Sequence, residues 1–333
     1  VLQGVSVVDW QRLYFETDAA VEEFLRVQGF DPHHPDDRAR MDAIRDDAVD
    51  YLRRTFAYPI PRPVAAMSVE ELLRLASSKG HRQLCACVIL KVMHIIQHLH
   101  GRELLFVLPL SDAQLFGLVE AKIYEVIGEM MADRLPVAEF LGGRKSRDSL
   151  YTKLLSKREN IATQVYDKLR FRVVTRTRDD VLPVLNYLSR RLFPFSFVIP
   201  GESKNTLLDP ADLRARHPHL RALMDDPLAH PRPWGMAEVV DNKFSARSYR
   251  VVHFVVDVPV RVPAEVLAAA PPSARRLGNV VFVLVEFQVV DMEAANANEQ
   301  GDASHDSYKE RQRQAVRQRL SLGAVRPTRR REK

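Results

Sequence analysis

The chain has 333 residues, of which 46% are hydrophobic and 13 are glycine. This composition is typical of a folded protein with a sizeable core, and it excludes a disordered or collagen-like chain. The formal net charge of +6 is modest, so it does not by itself indicate a polyanionic partner.

Two features of the sequence bear on the compartment in which the protein works. Its two cysteines, Cys85 and Cys87, lie in an apolar helical run, which favours buried thiols in a reducing compartment over a disulfide or a metal pair. The best apolar run, residues 84–96, is interrupted by Lys91 and is shorter than a membrane span, and the first residues lack a basic signal region. We therefore expect a cytoplasmic protein that does not cross a membrane.

Residues 1–135 have the pattern of helices, and we expect a regulatory or docking role for this region. One helix is predicted from Thr17, a capping residue, to Gly29, which is typical of a helix end. Two further helices are predicted to begin with capping boxes, at Ser68–Glu71 and at Ser111–Gln114.

A pair of histidines, His94 and His98, stands out in this helical region because positions four apart lie on one helix face. Such a pair can bind a metal ion, but no third ligand lies nearby in the sequence, as the Glu does in H-E-x-x-H. The favoured interpretation is that backbone groups or water satisfy both imidazoles.

After Pro136 the pattern changes to strands that alternate with helices, and residues 136–320 are expected to form an α+β domain with a mixed sheet. The predicted strands are a segment ending near Lys145 and residues 168–175, 195–200, 248–258 and 280–291. The predicted helices are residues 149–160, residues 179–192, one short helix within 201–235, and a final basic helix.

The strand VVFVLVEFQVVD, residues 280–291, raises a functional question. Because strand side chains alternate in direction, Glu286 and Gln288 share one face, whereas their neighbours point to the other. This polar face is either solvated, as on an edge strand, or part of a functional site.

Polar clusters elsewhere in the chain bear on this choice. Lys145, Ser149 and Lys153 are spaced four residues apart, so we expect them to align on one helix face and bind phosphate. Asp167, at the start of a strand, is suited to hold Mg²⁺ against phosphate oxygens. Each cluster alone is equally typical of a solvated basic face or of a turn.

Near residue 250, Tyr249 offers an aromatic face on which a base can stack, and His253 offers a hydrogen-bond donor. The flanking cations that complete this candidate nucleotide-binding group are Lys243, Arg247 and Arg250. Glu286 is then expected to share the metal ion or to accept a proton from an attacking hydroxyl, with Gln288 as its polar neighbour in catalysis.

Taken in order, these motifs resemble the synthetase domain of the RelA/SpoT family, the (p)ppGpp synthetases. The resemblance covers residues 143–312 and keeps the order and internal spacing of five motifs. The matching motifs are K-x-x-x-S-x-x-x-K from Lys145, D-x-x-x-x-R-V from Asp167, Y-x-x-x-H from Tyr249, E-x-Q from Glu286, and a last motif through Glu299, Gly301, His305, Tyr308 and Lys309.

The resemblance implies a magnesium-dependent enzyme of alarmone synthesis that moves pyrophosphate from ATP to the 3′-hydroxyl of a guanine nucleotide. It implies that the K-x-x-x-S-x-x-x-K residues bind the ATP phosphates and that Asp167 binds Mg²⁺. It also implies that Tyr249 stacks on the acceptor guanine and that Glu286 is the second acidic catalytic residue.

The chain departs from the family pattern on both sides of the implied site. The family carries R-x-K at its first lysine, whereas this chain has Gly143 at the arginine position and Arg144 one place later, which a strand would turn to the opposite face. Arg144 is kept as a candidate for nucleotide binding. On the acceptor side, Ser248 stands where the family has glycine.

Two alternatives to transfer onto a free nucleotide stay open. Residues 308–333 hold ten Lys and Arg against two Glu, so this end of the chain, with the tail 321–333, is basic enough to bind RNA. The same chemistry would then act on the 3′ end of tRNA, as in toxin-like relatives. In the other alternative, which Gly143 favours, the domain binds a nucleotide or a partner without turnover.

Overall fold

The structure, a computed structural model, describes residues 13–156, 168–199, 201–217, 246 and 248–322. Within these ranges the chain forms helices up to residue 132 and then a five-stranded sheet with further helices. The prediction of an α+β protein with a mixed sheet is confirmed.

Six helices occupy the described residues ahead of the sheet. They are α1 (Asp18–Val27), α2 (Pro35–Phe56), α3 (Arg62–Ala65), α4 (Val69–Ala76), α5 (His81–Val107) and α6 (Asp112–Ala132). The predicted caps are confirmed: the Thr17 hydroxyl accepts a hydrogen bond from the backbone of Ala20, and both capping boxes form, at the starts of α4 and α6. Gly29 follows α1 with a φ of +95°, a conformation that glycine adopts without strain.

Helix α5 carries the apolar run that the sequence pattern indicated to be too short for a membrane span. That expectation is wrong by length and composition, because α5 has 27 residues and is the one helix of the described ranges that is long and apolar enough. Half of its most apolar window is buried within the protein, where Cys85, Cys87 and Ile89 belong to a core shared with α2 and α4. The prediction of buried thiols is confirmed.

The sheet of the described residues has five strands in the spatial order β1-β2-β5-β4-β3. The strands are β1 (Val137–Arg144), β2 (Leu169–Thr175), β3 (Lys204–Asn205), β4 (Val252–Arg261) and β5 (Val280–Asp291). Strands β2 and β5 pair in parallel, and the other pairs are antiparallel. Strand β5 therefore lies in the middle of the sheet with a neighbour on each side.

The helices that accompany the sheet are α7 (Arg147–Ser156), α8 (Val181–Arg191), α9 (Pro210–Arg216), α10 (Ala264–Ala269), α11 (Met292–Asn298) and α12 (His305–Leu322). The predicted strand at 195–200 is wrong. Phe195–Phe197 forms a 3₁₀ turn that is closed by a hydrogen bond from the Phe197 backbone to the carbonyl of Pro194, and beside it Val198 forms a single bridge to β4. Proline ahead of the apolar run favours this turn over a regular ladder.

One face of the sheet is a layer of aromatic side chains. Phe171, Phe193, Phe254 and Phe287 are fully buried, and their contacting ring centroids lie 5.5 to 5.9 Å apart. Helices α6 and α8 contribute to the same core. The core of the sheet therefore continues across the boundary that the sequence pattern suggests at residue 135.

The end of α5 crosses the opposite face of the sheet in close contact with β5. A Cβ added at Gly101 would lie 2.4 Å from the Phe282 ring and 2.9 Å from the backbone oxygen of Val280. His98 stacks on the same ring with a centroid distance of 4.1 Å and an interplanar angle of 7°. Only a residue without a side chain lets the helix approach this closely.

Gly101→Ala is therefore expected to lower the free energy of unfolding by about 1–3 kcal/mol, because the added methyl group overlaps the Phe282 ring. Gly128→Ala, the matched control in the interior of α6, places its methyl group where no atom of the described residues lies within 4 Å. This control is expected to raise the free energy of unfolding by about 0.4–1 kcal/mol. Urea unfolding measures both, and equal effects would contradict the close contact of α5 with β5.

Candidate functional site

The polar pair of strand β5 lies in the centre of the sheet. Glu286 is 3% exposed and Gln288 is 6% exposed, and β5 pairs with β2 on one side and β4 on the other. The alternative of a solvated edge strand is therefore wrong. A buried carboxylate and a buried amide both need partners within the protein.

Glu286 receives its partners from three other segments and from its own strand. Arg170 on β2 places Nε 2.9 Å from Oε1 and donates from Nη2 to Oε2 at 3.2 Å. His253 on β4 places Nε2 3.2 Å from Oε1, and Lys145, directly after β1, places Nζ 3.6 Å from Oε2. Gln288 donates from Nε2 to Oε1 at 2.9 Å. One carboxylate thus contacts polar groups from β2, β4, β5 and the residue that follows β1.

The register of the sheet explains this convergence. Arg170 is the β2 neighbour of Glu286, and Arg172 and His253 are the neighbours of Gln288 on β2 and β4. Arg172 donates to Oε1 of Gln288 from Nη2 at 3.1 Å and from Nε at 3.3 Å, and Nη2 also donates to the Tyr249 hydroxyl at 3.4 Å. A second row of polar contacts therefore runs from β2 to Tyr249.

The surroundings of Glu286 keep its carboxylate ionised. Burial alone would raise the pKa of this group, but the charges of Arg170, Lys145 and His253 and the hydrogen bond from His253 hold the pKa well below its ordinary value. A carboxylate with a lowered pKa is a weak base. This arrangement favours an electrostatic role for Glu286 over the abstraction of a proton.

The charges of this cluster are arranged with the anion inside and the cations outside. The exposed fraction of the side chain is 4% for Glu286, but 18% for Lys145, 26% for His253 and 33% for Arg170. The permanently charged partners, Lys145 and Arg170, outnumber the single carboxylate, so positive charge faces the solvent. Such a surface attracts phosphate groups.

Lys145 lies ahead of helix α7, whereas its spacing to Ser149 and Lys153 predicts a position on the helix. Its backbone N–H donates to the carbonyl of Lys168 at 3.0 Å, which prolongs the ladder between β1 and β2, and α7 begins two residues later. The prediction that Lys145 shares one helix face with Ser149 and Lys153 is therefore wrong. The backbone at this position, which pairs with Lys168 ahead of the helix, directs the amine towards Glu286.

The other two residues of the motif lie on α7, which starts beside the cluster. The Ser149 hydroxyl lies 2.9 Å from the hydroxyl of Ser146, and the Lys153 side chain is half-buried one turn further on. Their role in binding phosphate stays a prediction.

The sequence pattern predicted Tyr249 within a strand, but Tyr249 lies just ahead of β4. Its carbonyl accepts a hydrogen bond from the Thr206 hydroxyl at 2.8 Å. The next residue, Arg250, exchanges two backbone hydrogen bonds with the Asn298 side chain, at 2.9 and 2.7 Å. These contacts, from residues distant in sequence, hold the half-buried Tyr249 ring beside the polar face.

Arg144 points away from this cluster. Its guanidinium donates to both carboxylate oxygens of Glu120 at 3.0 and 2.7 Å and lies 5.7 Å from the centroid of the Phe116 ring, and both residues belong to α6. The structure therefore does not bring this candidate to Glu286, because α6 covers the other face of the sheet. Gly143 pairs with Arg170 and lies on the face of Glu286.

Three predicted site residues lie outside the described part of the chain: Asp167, Lys243 and Arg247. A metal ion shared by Asp167 and Glu286 stays a prediction. Conversely, the sequence pattern did not single out Arg170, and it included Arg172 as the arginine of D-x-x-x-x-R-V without giving it a role. A signal was present, because the alternation in R-F-R places both arginines on one strand face, but only the strand order shows that this is the face of Glu286.

The histidine pair of α5 is bound differently from the expectation. His98 Nε2 lies 3.1 Å from Oδ2 of Asp257 on β4, so a carboxylate is its partner in place of backbone or water. Burial, together with the neighbouring His98, lowers the pKa of His94 to about 3. Across the residues that the structure describes, no group of three or more His, Cys, Asp or Glu side chains is arranged to hold a metal ion.

No family model matches the chain, and no curated protein matches its sequence. Among solved structures, it resembles small alarmone synthetase 1 from Bacillus subtilis, with 15% identity over 62% of this chain and 86% of that chain and a TM-score of 0.31. It also resembles a GTP pyrophosphokinase family protein from Streptococcus pneumoniae, with 16% identity over 62% and 84% of the two chains and a TM-score of 0.32.

Small alarmone synthetase 2 from Bacillus subtilis is similar at 16% identity, over 67% of this chain and 95% of that chain, with a TM-score of 0.31. Because these identities and TM-scores are low, the function of this chain is inferred from the geometry of its own polar face.

The ion pairs of Glu286 predict how stability depends on pH. The pKa of the folded state lies below the ordinary value of 4.5, so the stabilisation is fully present above about pH 4.5 and is lost as the pH falls below it. Glu286→Gln is expected to lower the free energy of unfolding at pH 7 by about 1–3 kcal/mol, because the partly exposed cations around it lose their charge-assisted hydrogen bonds and their counter-charge. Its free energy of unfolding should then decline less steeply below pH 4.5 than that of the wild type.

Urea unfolding between pH 7 and pH 3 measures both effects. Glu120→Gln is the matched control, since it removes the partly exposed carboxylate that binds Arg144 on the other face of the sheet. This control is expected to have little effect at any pH. Parallel pH curves for the wild type and Glu286→Gln would contradict a lowered pKa at Glu286.

Proposed function

We propose that this chain is a magnesium-dependent pyrophosphokinase that moves pyrophosphate from ATP to the 3′-hydroxyl of a purine nucleotide, with a guanine nucleotide as the favoured acceptor. The observation that carries this proposal is the meeting of Lys145, His253, Gln288 and Glu286 on one face of the sheet. These residues come from three motifs that lie far apart in the sequence, and only the fold brings them together. Their contact is what a site for polyphosphate transfer requires.

The charge of the cluster suits a triphosphate substrate. Transfer of a phosphoryl-type group depends mainly on positioning and on neutralising the charge of the phosphate oxygens. Lys145 and Arg170 supply two permanent positive charges at the partly exposed rim, and the buried Glu286 holds both in place. The site is therefore organised before the substrate arrives.

The donor set of this face fits Mg²⁺. Proteins usually hold this ion through one or two carboxylates together with phosphate oxygens and water. Glu286 offers a carboxylate that is kept ionised, and Asp167 is the proposed second ligand. Lys145 and Arg170, which form ion pairs with Glu286, can turn to the phosphate oxygens when a negatively charged metal–nucleotide complex enters. When bound, Mg²⁺ supplies charge neutralisation at the transferred group.

In the proposed reaction, the acceptor 3′-oxygen forms a bond to the β-phosphorus of ATP. The bond from that phosphorus to the oxygen bridging to the α-phosphate breaks, and AMP leaves with the electron pair. The hydroxyl proton passes to a neighbouring base, a role for which His253, oriented by Glu286, is better suited than the weakly basic Glu286 itself. Tyr249, whose hydroxyl is bonded to Arg172, presents a ring of the size of one base.

Incubation of the protein with labelled ATP, Mg²⁺ and a panel of GDP, GTP, AMP, ADP and bulk tRNA tests this function. Label is expected to move to GDP or GTP, and Glu286→Gln is expected to reduce transfer by about 10²–10³-fold, because the variant no longer organises the cations. Glu120→Gln is the control with unchanged transfer. Normal turnover by Glu286→Gln would show that Glu286 is only a structural residue.

The same panel separates the two alternatives. Transfer to tRNA alone would identify RNA as the acceptor, and removal of residues 321–333 would then weaken transfer several-fold and flatten its dependence on salt. Transfer to a free nucleotide should be nearly unchanged by that deletion. Binding of nucleotides without any transfer would identify a non-catalytic binding domain.

A further inference from the structure

Arg170 lies between Glu286 and the segment that carries Lys145. Arg170 and Lys145 both approach Oε2 of Glu286, at 3.2 and 3.6 Å. His253 approaches the same carboxylate from β4, which lies on the other side of β5. The sheet order therefore places Arg170 and Lys145 on one side of β5, and His253 on the other.

Gly143 leaves space beside Arg170. The two residues are direct partners in the antiparallel pair of β1 and β2, so a side chain at position 143 would stand next to the Arg170 side chain on the same face. A Cβ built at Gly143 meets no atom of the described residues within 4 Å, and a third of the Arg170 side chain is exposed. The guanidinium thus has room to turn from Glu286 to a ligand that lies over β1.

We propose that Arg170 binds the triphosphate of the donor nucleotide together with Lys145, and that the glycine at position 143 provides the space for this contact. The proposal rests on the function proposed above and assigns one residue of that site. A guanidinium binds two phosphate oxygens at once, which an ammonium does not. In the absence of ligand, Glu286 holds the guanidinium beside the position that the phosphates would take.

Calorimetry with a non-hydrolysable ATP analogue plus Mg²⁺, and separately with GDP, tests this assignment. Arg170→Ala is expected to weaken binding of the ATP analogue by about 10- to 100-fold and to change GDP binding by less than about threefold. A residue that served only to keep Glu286 in place would affect both ligands alike. Equal losses for the two ligands would therefore overturn the proposal.

Arg178→Ala is the matched control. Arg178 places Nε 3.2 Å from Oδ2 of Asp291, so it also pairs with a buried carboxylate of β5, but at the end of the strand. This variant loses the same kind of ion pair and is expected to bind both ligands as the wild type does. Arg170→Lys serves if the alanine variant does not fold, because it keeps the charge and is expected to show a smaller, equally selective loss.

A swap across the paired strands gives the sharpest test. The double variant Gly143→Arg with Arg170→Ala returns a guanidinium to the same face from β1, into space that no described residue fills. Affinity for the ATP analogue is expected to recover to within about threefold of the wild type. A double variant that binds no better than Arg170→Ala would overturn the proposal.

Inorganic tripolyphosphate separates this proposal from the proposed function. Arg170→Ala is expected to lose affinity for tripolyphosphate as it does for the ATP analogue. If the wild type binds the analogue and tripolyphosphate through Arg170 but transfers nothing, only the proposed function fails. If the wild type binds neither compound, the assignment of Arg170 fails as well.

Discussion

The buried carboxylate of Glu286 is the constraint on which the polar face of this protein depends. An ionised group in the middle of a sheet costs several kcal/mol unless charges and hydrogen bonds surround it. Arg170, Lys145 and His253 meet that requirement from three different segments. Because the anion is inside and the cations are partly exposed, the interactions that stabilise the sheet also present positive charge to a ligand. The same ion pairs therefore stabilise the fold and position the side chains of the site.

The same constraint recurs where the helices meet the sheet. Asp37 of α2, which is 2% exposed, accepts from Arg261 of β4 at 2.6 and 2.9 Å, and His98 of α5 pairs with the buried Asp257 of β4. Each pair joins a buried carboxylate to a partner on the other side of the contact. A shift of the helices would leave a buried charge unpaired, which is strongly destabilising. A contact made only of apolar side chains would lose less on the same shift. These pairs therefore fix where α2 and α5 lie on β4.

The opposite face of the sheet gives the site its rigidity. Aromatic rings from β2, β4 and β5 pack against one another under α6 and α8. The strands that carry Arg170, His253 and Glu286 are therefore held in one register by a close-packed layer. A site placed on such strands holds its side chains more accurately than one placed on loops.

The sequence by itself determined the features that depend on neighbouring residues. Thr17, Ser68 and Ser111 cap their helices as predicted, and β5 spans residues 280–291 with Glu286 and Gln288 on one face, because capping and alternation are local. Only the tertiary structure decided that β5 is central, that Arg170 is its neighbour, that Lys145 precedes the helix and pairs with Lys168, and that Phe195–Phe197 turns. The pairing of β2 with β5 joins segments more than 100 residues apart, as the separation of 116 residues between Arg170 and Glu286 shows, and local sequence carries no record of that pairing.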